Sequence, residues 1–512
     1  MRLLHSQTLS LYEPPYSEIP PYAILSHTWG EDEITYQDVR GGTTRLERGY
    51  SKLQKFAHRA SEDGLDYIWV DTCCIDKSSS AELSEAINSM YIWYKRAKCC
   101  YVYLEDVPFD KRHLPAAFQR SRWFTRGWTL QELIAPSTVI FYASNWHPIG
   151  SKTDPTLQDL ILQTTGIDLE ILSGGDIRNV SIAKRMSWAA KRETTRPEDK
   201  AYSLLGLFDV NMPLLYGEGE KRAFIRLQKE IMEDSDDHSL FAWKSMEKNY
   251  GMSCQGLLAT SPTPFIDGGN TISCPDWNAT TPYSMTNKGL HIELSLRPHD
   301  IIKDIFLATL DCKLGQQSSI RLAIYLKCLS AAGNQFCRVK PYALEEFDCK
   351  SRNPGIPRII YVRQRVLHPE GQHTGGSRKI RILDMLGIFR LIDVSPQGCW
   401  NDSTRTLNLR DVDGEGTVLY QNPNMTLRFA IVVTFTRAGF CLCKILNGPR
   451  MSANEQSDWF SSFEDKSGQL NIGATRYGQK YRIKASINKE KGKGMEGFVL
   501  DVTTHILMDI TS

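Results

Sequence analysis

Four short apolar runs, separated by helix-forming segments, fill the first third of this chain. They are Tyr22–Ser26, Tyr67–Asp71, Cys99–Leu104 and Thr138–Tyr142. Their apolar residues are continuous rather than alternating, which indicates strands that are covered on both faces. Such strands occur in parallel sheets with helices on both sides. With right-handed crossovers, the alternation of strand and helix predicts a doubly wound, flavodoxin-like parallel sheet.

Helix signals lie between these runs. One predicted helix ends near Gly64, a second begins at the capping box Ser79–Glu82, and a third covers Trp128–Ala135 before Pro136. In this class of sheet, ligands bind beyond the carboxyl ends of the strands. The candidate site segments are therefore those that follow strands: His27–Asp32, Asp71–Ser80 and Arg122–Glu132.

The pattern changes twice along the chain. Residues 155 to 240 carry helical spacing, with a helix start at Pro197–Asp199. From about residue 245, strand patterns dominate, as in Leu290–Leu296, where apolar and polar residues alternate strictly. We therefore predict three domains: an α/β domain at 1–150, a helical extension at 151–245 and a β-sandwich-like domain at 246–512.

Composition limits the class of protein. Hydrophobic residues make up 41% of the chain, as in an ordinary globular protein. The net charge is +2 and no basic block stands out, so composition does not indicate nucleic-acid binding. No apolar run is long enough to span a membrane, and we expect a soluble, cytoplasmic protein. The 13 cysteines are expected to be reduced thiols that fill a core.

Three segments carry a family resemblance: Tyr22–Gly30, Tyr67–Asp76 and Ser121–Pro136. In sequence and order they resemble the fungal heterokaryon-incompatibility (HET) domain, whose members act in self/non-self recognition and programmed cell death, a form of innate immunity. HET domains are in turn similar to TIR domains. This resemblance implies a TIR-like fold and self-association through the TIR-like domain.

The TIR resemblance also implies an enzymatic activity. Several TIR domains cleave NAD with the glutamate of a Trp-Cys-x-x-Glu pattern, and Trp128–Glu132 stands at the corresponding place, with Thr129 in place of the cysteine. The resemblance thus implies an NAD nucleosidase with Glu132 as the catalytic residue and NAD as the substrate, without a cofactor. Nicotinamide leaves NAD as a neutral group, so one carboxylate that stabilises the oxocarbenium charge is sufficient.

The other candidate residues bind the dinucleotide in this interpretation. They are His27, Trp29, Gly30, Asp71, Asp76, Arg122, Arg126 and Trp128. An indole stacks on a flat ring, and an arginine pairs with the pyrophosphate. Structural alternatives stay open for several of them: the tryptophans as core or interface anchors, Asp71 as a loop-orienting group, His27 as a satisfied structural histidine, Gly30 as a turn residue, and Glu132 as a solvated or salt-bridged helix residue. The alternative function is a non-catalytic interaction module or scaffold. We find no zinc-ligand spacing and no phosphate-binding loop.

Overall fold

The structure is a computed structural model. It describes residues 1–15, 17–42, 47–110, 112–246, 254–274, 281–299, 304–315, 319–330, 332–348, 355–364, 379–385, 389–395, 399–408, 415–421, 428–435, 441–447, 469–473, 480–492 and 495–507. By packing, Met1–Met246 and Cys254–Val366 form one compact unit, and the described strands from Lys379 onward belong to a second. The three-domain division drawn from the sequence stays a prediction.

A seven-stranded sheet forms the centre of the N-terminal part. Its strands are β1 Leu3–His5, β2 Leu11–Tyr12, β3 Tyr22–His27, β4 Tyr67–Trp69, β5 Cys99–Tyr103, β6 Val139–Tyr142 and β7 Pro148–Ser151. The order is β2-β1-β4-β3-β5-β6-β7, and β4, β3, β5 and β6 are parallel. The four predicted strands are confirmed. Strands β1, β2 and β7, which pair antiparallel at the edges, were not predicted from the sequence.

Helices cover both faces of this sheet. They are α1 Tyr36–Gly41, α2 Glu47–Glu62, α3 Ser80–Arg96, α4 Leu114–Gln119 and α5 Thr129–Ile134. On one face, Phe56 of α2 packs edge-on against Tyr101 of β5, with ring centroids 5.6 Å apart. On the other face, the thiol of Cys100 lies 3.9 Å from the carbonyl oxygen of Glu132 in α5. Neighbouring residues of β5 therefore contact helices on opposite sides of the sheet, as strand geometry requires.

Half of the predicted capping box at α3 is present. The Ser79 hydroxyl accepts a hydrogen bond from the Glu82 backbone N–H at 3.3 Å. The Glu82 carboxylate, however, accepts from the Asp76 backbone N–H at 2.8 Å and forms an ion pair with Arg2. The predicted reciprocal bond is thus replaced because a guanidinium and an earlier N–H compete for the same carboxylate.

The helical segment that follows the sheet confirms the predicted pattern. Its helices are α6 Pro155–Thr165, α7 Leu169–Leu172, α8 Ile182–Ala189, α9 Asp199–Tyr202, α10 Leu205–Phe208 and α11 Glu220–Asp234. Leu204, Leu205 and Leu227 are buried, as their spacing predicts. Short 3₁₀ turns lie at Arg122–Thr125, Ile177–Asn179, His238–Phe241, Thr263–Phe265 and Gly268–Asn270.

A second sheet completes the first compact unit. Its strands are β8 Thr271–Ser273, β9 Ser284–Thr286, β10 Gly289–Pro298, β11 Ile305–Leu314, β12 Ile320–Cys328, β13 Gln335–Val339, β14 Glu345–Asp348 and β15 Ile356–Val362. Strands β10, β11, β12, β13 and β15 pair in a closed circuit, which differs from the expected sandwich because β13 and β15 pair in parallel. The inner face of this sheet and the helices share one apolar core.

The second unit is also strand-rich. Its strands are β16 Lys379–Met385, β17 Arg390–Ser395, β18 Trp400–Asn401, β19 Thr406–Asn408, β20 Glu415–Gln421, β21 Arg428–Phe435, β22 Cys441–Asn447, β23 Gln469–Gly473, β24 Lys480–Gly492 and β25 Met495–Leu507. They form a six-stranded and a four-stranded sheet that share an apolar core, including Ile382 and Ile431. The sequence of Leu427–Phe435 has the same strand pattern as Leu290–Leu296 and predicts a strand, which is confirmed from Arg428 onward; Leu427 lies outside the described residues.

Among the described residues, the expectation of reduced thiols that fill a core holds for some cysteines and fails for others. Cys73, Cys74 and Cys100 are buried free thiols, whereas a disulfide joins Cys254 to Cys337. Within the described ranges, no helix combines the length and the hydropathy that a bilayer span requires.

Candidate functional site

A cavity of about 690 Å³ opens at the carboxyl ends of β3 and β5. These neighbouring strands mark the point where the strand order reverses, which is where open α/β sheets bind ligands. Its volume lies in the range of small-molecule sites. The lining residues are Trp29, Gly30, Glu31, Asp32 and Glu33 after β3, Arg48, Gly49, Ser51, Lys52 and Lys55 on α2, and Tyr103, Glu105, Arg122 and Trp146.

Glu33 organises the floor of this cavity. Its carboxylate accepts hydrogen bonds from the Gly30 backbone N–H at 2.7 Å and the Lys52 ammonium at 2.5 Å, and lies 3.3 Å from His27 Nε2. Burial alone would raise the pKa of Glu33, but His27 and Lys52 outweigh it and lower the pKa to about 2. His27 is therefore placed under the cavity by an ionised carboxylate, and its Nδ1 has no hydrogen-bond partner among the described residues.

Trp29 forms the rim of the cavity toward β4. Its side chain is half exposed, and its indole N–H donates to Asp71 Oδ2 at 2.9 Å. The Lys77 ammonium lies 3.6 Å from the centroid of the indole ring. This geometry fits a cation–π contact.

Asp76 has a local role at the start of α3. Its carboxylate accepts from the Ser78 hydroxyl at 2.5 Å and the Ser78 backbone N–H at 3.0 Å, and these bonds lower its pKa. The side chain is thus used in the turn that leads into the helix.

Glu132 lies on the other face of β3. Ser26 and His27 are neighbours in this strand, and the Ser26 hydroxyl donates to Glu132 Oε2 at 2.5 Å. The Trp123 indole N–H in turn donates to Ser26 Oγ at 2.7 Å. Because successive strand residues point to opposite faces, Glu132 and Glu33 are separated by the strand. Glu132 is 7% exposed and is not among the cavity-lining residues.

Burial dominates the ionisation of Glu132. It raises the pKa to about 8, and the negative charge of Asp71 adds to the increase. Hydrogen bonds from Ser26 and Tyr94 and the positive charge of Arg126 act in the opposite direction. The carboxyl group is therefore largely protonated at neutral pH.

Arg126 and Trp128 contact the helical segment rather than the cavity. Arg126 Nη1 donates to Thr195 Oγ1 at 3.2 Å, and the Trp128 indole N–H donates to Asp199 Oδ2 at 3.2 Å. Asp199 also accepts from the Tyr216 hydroxyl at 3.0 Å, and burial raises its pKa. The loop before α5 is thus held by residues that come about seventy positions later in the chain.

Comparison with known proteins adds the family. The model for the heterokaryon incompatibility protein (HET) family matches residues 22–112, and a model for a domain of unknown function matches residues 222–323. Over 246 residues the chain is 49% identical to the vegetative incompatibility protein HET-E-1 of Podospora anserina. Residues 22–112 are therefore similar to the HET family. The alignment covers 46% of the chain and 18% of the relative, so the chain spans about a fifth of that protein. No solved structure matches it.

The α/β region of the chain gathers only part of the predicted site in one place. Trp29, Gly30 and Arg122 line the cavity, and His27 and Asp71 contact its lining residues. The remaining candidates lie apart from that lining: Glu132 behind β3, Arg126 and Trp128 against the helical segment, and Asp76 in its turn. The described residues contain no cluster that could hold a metal ion.

Several polar residues of this region were not predicted from the sequence. Glu33 lies one position beyond the predicted segment His27–Asp32, and Lys52 lies on the helix that follows. An acidic residue soon after a strand was the available signal for Glu33. Ser26 gave no such signal, because a small polar residue in a strand is common.

Proposed function

We propose that this chain is an effector of heterokaryon incompatibility, which triggers cell death after non-self recognition. The proposal is supported by the HET-family match and by 49% identity to a vegetative incompatibility protein. We further propose that its α/β domain is TIR-like. The parallel order β4-β3-β5-β6 supports this, because it places the second predicted strand outside the first, as flavodoxin-like sheets do. In this proposal the protein acts in the cytoplasm and self-associates through the TIR-like domain.

We propose NAD hydrolysis at the nicotinamide–ribose bond as its activity. The bond between ribose C1′ and the nicotinamide nitrogen breaks, and its electron pair stays with neutral nicotinamide. Water then bonds to C1′, which yields ADP-ribose and a proton. A carboxylate beside the ribose stabilises the developing oxocarbenium charge. The observation that carries this assignment is the Glu132 carboxyl group, which is buried behind the carboxyl end of β3 with Ser26 as its hydrogen-bond donor.

The chain offers groups for the rest of the dinucleotide. Trp29 at the cavity rim presents an indole for stacking, and Arg122 lines the same cavity as a partner for the pyrophosphate. Asp71, hydrogen-bonded to Trp29, is close enough to Glu132 to raise its pKa. The Trp29–Asp71 pair therefore links the cavity on one side of β3 to the carboxyl group on the other.

Ionisation of Glu132 gives this mechanism a pH dependence. The carboxyl group has a pKa of about 8 in the free protein and acts only as a carboxylate. We therefore expect kcat/KM for NAD to rise through pH 8 and to level off above it. In the complex, the cationic nicotinamide ribosyl group of NAD favours the ionised form of Glu132. The rise of kcat with pH should therefore lie at lower pH than the rise of kcat/KM.

One observation favours a second function, that of a non-catalytic interaction module. Glu132 is 7% exposed and its carboxyl group has hydrogen-bond partners within the fold. A protonated carboxyl in this environment serves as a structural link between β3 and α5. The domain would then act through protein contacts alone.

The variant E132Q separates the two functions. An amide has the shape of a protonated carboxyl group and retains an oxygen for the Ser26 hydroxyl, so the fold should be preserved. The experiment measures NAD loss by the purified full chain and viability of cells that express it, with E85Q, at an exposed glutamate of α3, as the matched control. Hydrolysis predicts that E132Q loses at least 100-fold in activity and all toxicity while E85Q keeps both. Toxicity of the wild type at constant NAD supports the interaction module instead.

A further inference from the structure

Arg192, in the segment after α8, is a buried cation that the proposed reaction does not yet use. Its side chain is 6% exposed. Nη1 donates to the Arg126 carbonyl and to Thr129 Oγ1, both at 2.8 Å, and Nε donates to the Trp188 carbonyl at 3.2 Å. Nη2 has no hydrogen-bond partner among the described residues. A buried guanidinium with an unpaired N–H costs free energy of folding, so we expect a negatively charged group near Arg192.

A chain of hydrogen bonds connects Arg192 to Glu132. The Thr129 hydroxyl, which accepts from Arg192, lies 2.5 Å from the Trp123 carbonyl and donates to it. The Trp123 indole binds Ser26, and Ser26 binds the Glu132 carboxyl group. Each link joins two different segments of the domain. Movement of Arg192 would therefore change the support of both α5 and the serine that holds Glu132.

Arg192 and Glu132, which are not in contact, also interact electrostatically through space. Burial lowers the pKa of Arg192 to about 9, and the negative charge of Glu132 counteracts this decrease. The groups that influence the pKa of Glu132 come from every element packed around its carboxyl group. They are Ser26 of β3, Asp71 after β4, Cys100 of β5, Tyr94 of α3, and Arg126 before α5. Arg126 is partly exposed and Arg192 is buried, so Arg192 is the less screened of these two positive charges.

Thr129 explains why an arginine fits here. This residue stands where the resembled Trp-Cys-x-x-Glu pattern has cysteine. A thiol is a weak hydrogen-bond acceptor, whereas a hydroxyl accepts and donates at the same time. Thr129 does both, with Arg192 as donor and the Trp123 carbonyl as acceptor. The departure from the pattern therefore has a partner sixty-three positions further along the chain.

We propose that Arg192 is a positioning residue of the Glu132 site. It fixes the first turn of α5 through Thr129 and the Arg126 carbonyl, and it supplies the buried positive charge that favours the Glu132 carboxylate. This inference rests on the proposed NAD hydrolysis. It also means that the functional unit of the HET domain extends beyond residues 22–112, at least to Arg192.

The test compares R192M, R192K, T129V and T129S in the full chain. The measurements are kcat, KM and the pH profile of NAD hydrolysis. R192M should lower kcat at pH 7.5 by about 30-fold or more, move the rising limb about one pH unit upward and leave KM within about threefold. R192K keeps the charge, but its single nitrogen cannot take the places of both Nη1 and Nε, so it loses the bond to the Trp188 carbonyl or those to Arg126 and Thr129. It should therefore lower kcat without moving the limb. T129V should lower kcat about tenfold, and T129S should resemble the wild type.

A second readout does not need activity. It is the free energy of unfolding of the wild type relative to E132Q as a function of pH, measured with and without R192M. Removal of the cation should move the plateau of this difference to higher pH. If the wild type spares NAD but R192M moves the plateau, the role of Arg192 stands and the proposed hydrolysis fails. If NAD is hydrolysed and R192M leaves both pH curves in place, the inference about Arg192 is wrong. If R192M does not fold, R192K and T129V provide the test. Both should lower kcat, and R192K should leave the rising limb of the pH profile in place.

Discussion

The strongest test of the environment of Glu132 is the free energy of unfolding of E132Q as a function of pH. The ordinary pKa of a glutamate side chain is 4.5, and in the folded protein burial raises that of Glu132 to about 8. Between these values the unfolded chain releases the proton while the folded protein retains it. Wild-type stability should therefore decrease as pH rises from 4.5 to about 8 and then level off. Each pKa unit corresponds to about 1.4 kcal/mol, so the loss between pH 5 and pH 8 is about 3–4 kcal/mol.

The amide of E132Q does not titrate, so the variant should escape this loss. We expect E132Q and the wild type to have similar stability at pH 5, and E132Q to be about 3–4 kcal/mol more stable at pH 8. Urea unfolding followed by tryptophan fluorescence at pH 5, 6.5 and 8 measures this difference. The exposed E85Q variant should match the wild type at every pH. A variant that is destabilised equally at pH 5 and pH 8 would show that Glu132 is ionised and charge-stabilised, which refutes the reasoning.

Three further predictions test other contacts. A Cβ on Gly127 would lie 2.5 Å from Thr194 Cγ2, so G127A should lower the free energy of unfolding by about 1–3 kcal/mol. T194S removes that methyl group, so adding it to G127A should restore most of the lost stability. If the double variant is not rescued, the contact is contradicted. The buried Arg338 guanidinium donates to the Phe241 and Trp243 carbonyls at 2.9 and 2.6 Å, so R338K should lose about 2–4 kcal/mol in urea unfolding, and an unchanged midpoint would refute this role. W29F keeps an aromatic ring but removes the hydrogen bond to Asp71, so KM for NAD should rise several-fold with kcat nearly unchanged; the reverse pattern places Trp29 in the chemical step.

The parts of the fold that sequence reasoning predicted are those encoded locally. A continuous apolar run such as Tyr22–Ser26 requires cover on both faces, and that requirement alone identifies a central parallel strand. Strands β1, β2 and β7 were missed because they have two to four residues each, and their pairing depends on the sheet already in place. The closed circuit around β13 and β15 was missed for the same reason, since a pairing of two residue pairs leaves no periodic signal.

The site residues show the same difference between what local sequence encodes and what long-range packing decides. The rule that ligands bind beyond strand ends led to Trp29 and Gly30, which do line the cavity. It could not distinguish Ser26 from His27, because the side of the sheet that each residue faces depends on the register of β3. It also could not find Arg192, whose contacts with Thr129 and Arg126 arise from packing between segments more than sixty residues apart.

The position of Glu132 opposite the cavity constrains any mechanism that uses both. A ligand that occupies the cavity beside Arg48 and Lys55 must pass over the end of β3 to bring its ribose to Glu132. The pair of Trp29 and Asp71 lies at this crossing. Binding and chemistry are then carried by different faces of one strand, and variants should separate them. K55A, in the cavity, should raise KM with little effect on kcat, whereas E132Q should lower kcat alone. If K55A and E132Q instead lower kcat together at constant KM, the two faces do not hold the same ligand and the dinucleotide cannot lie across the strand end.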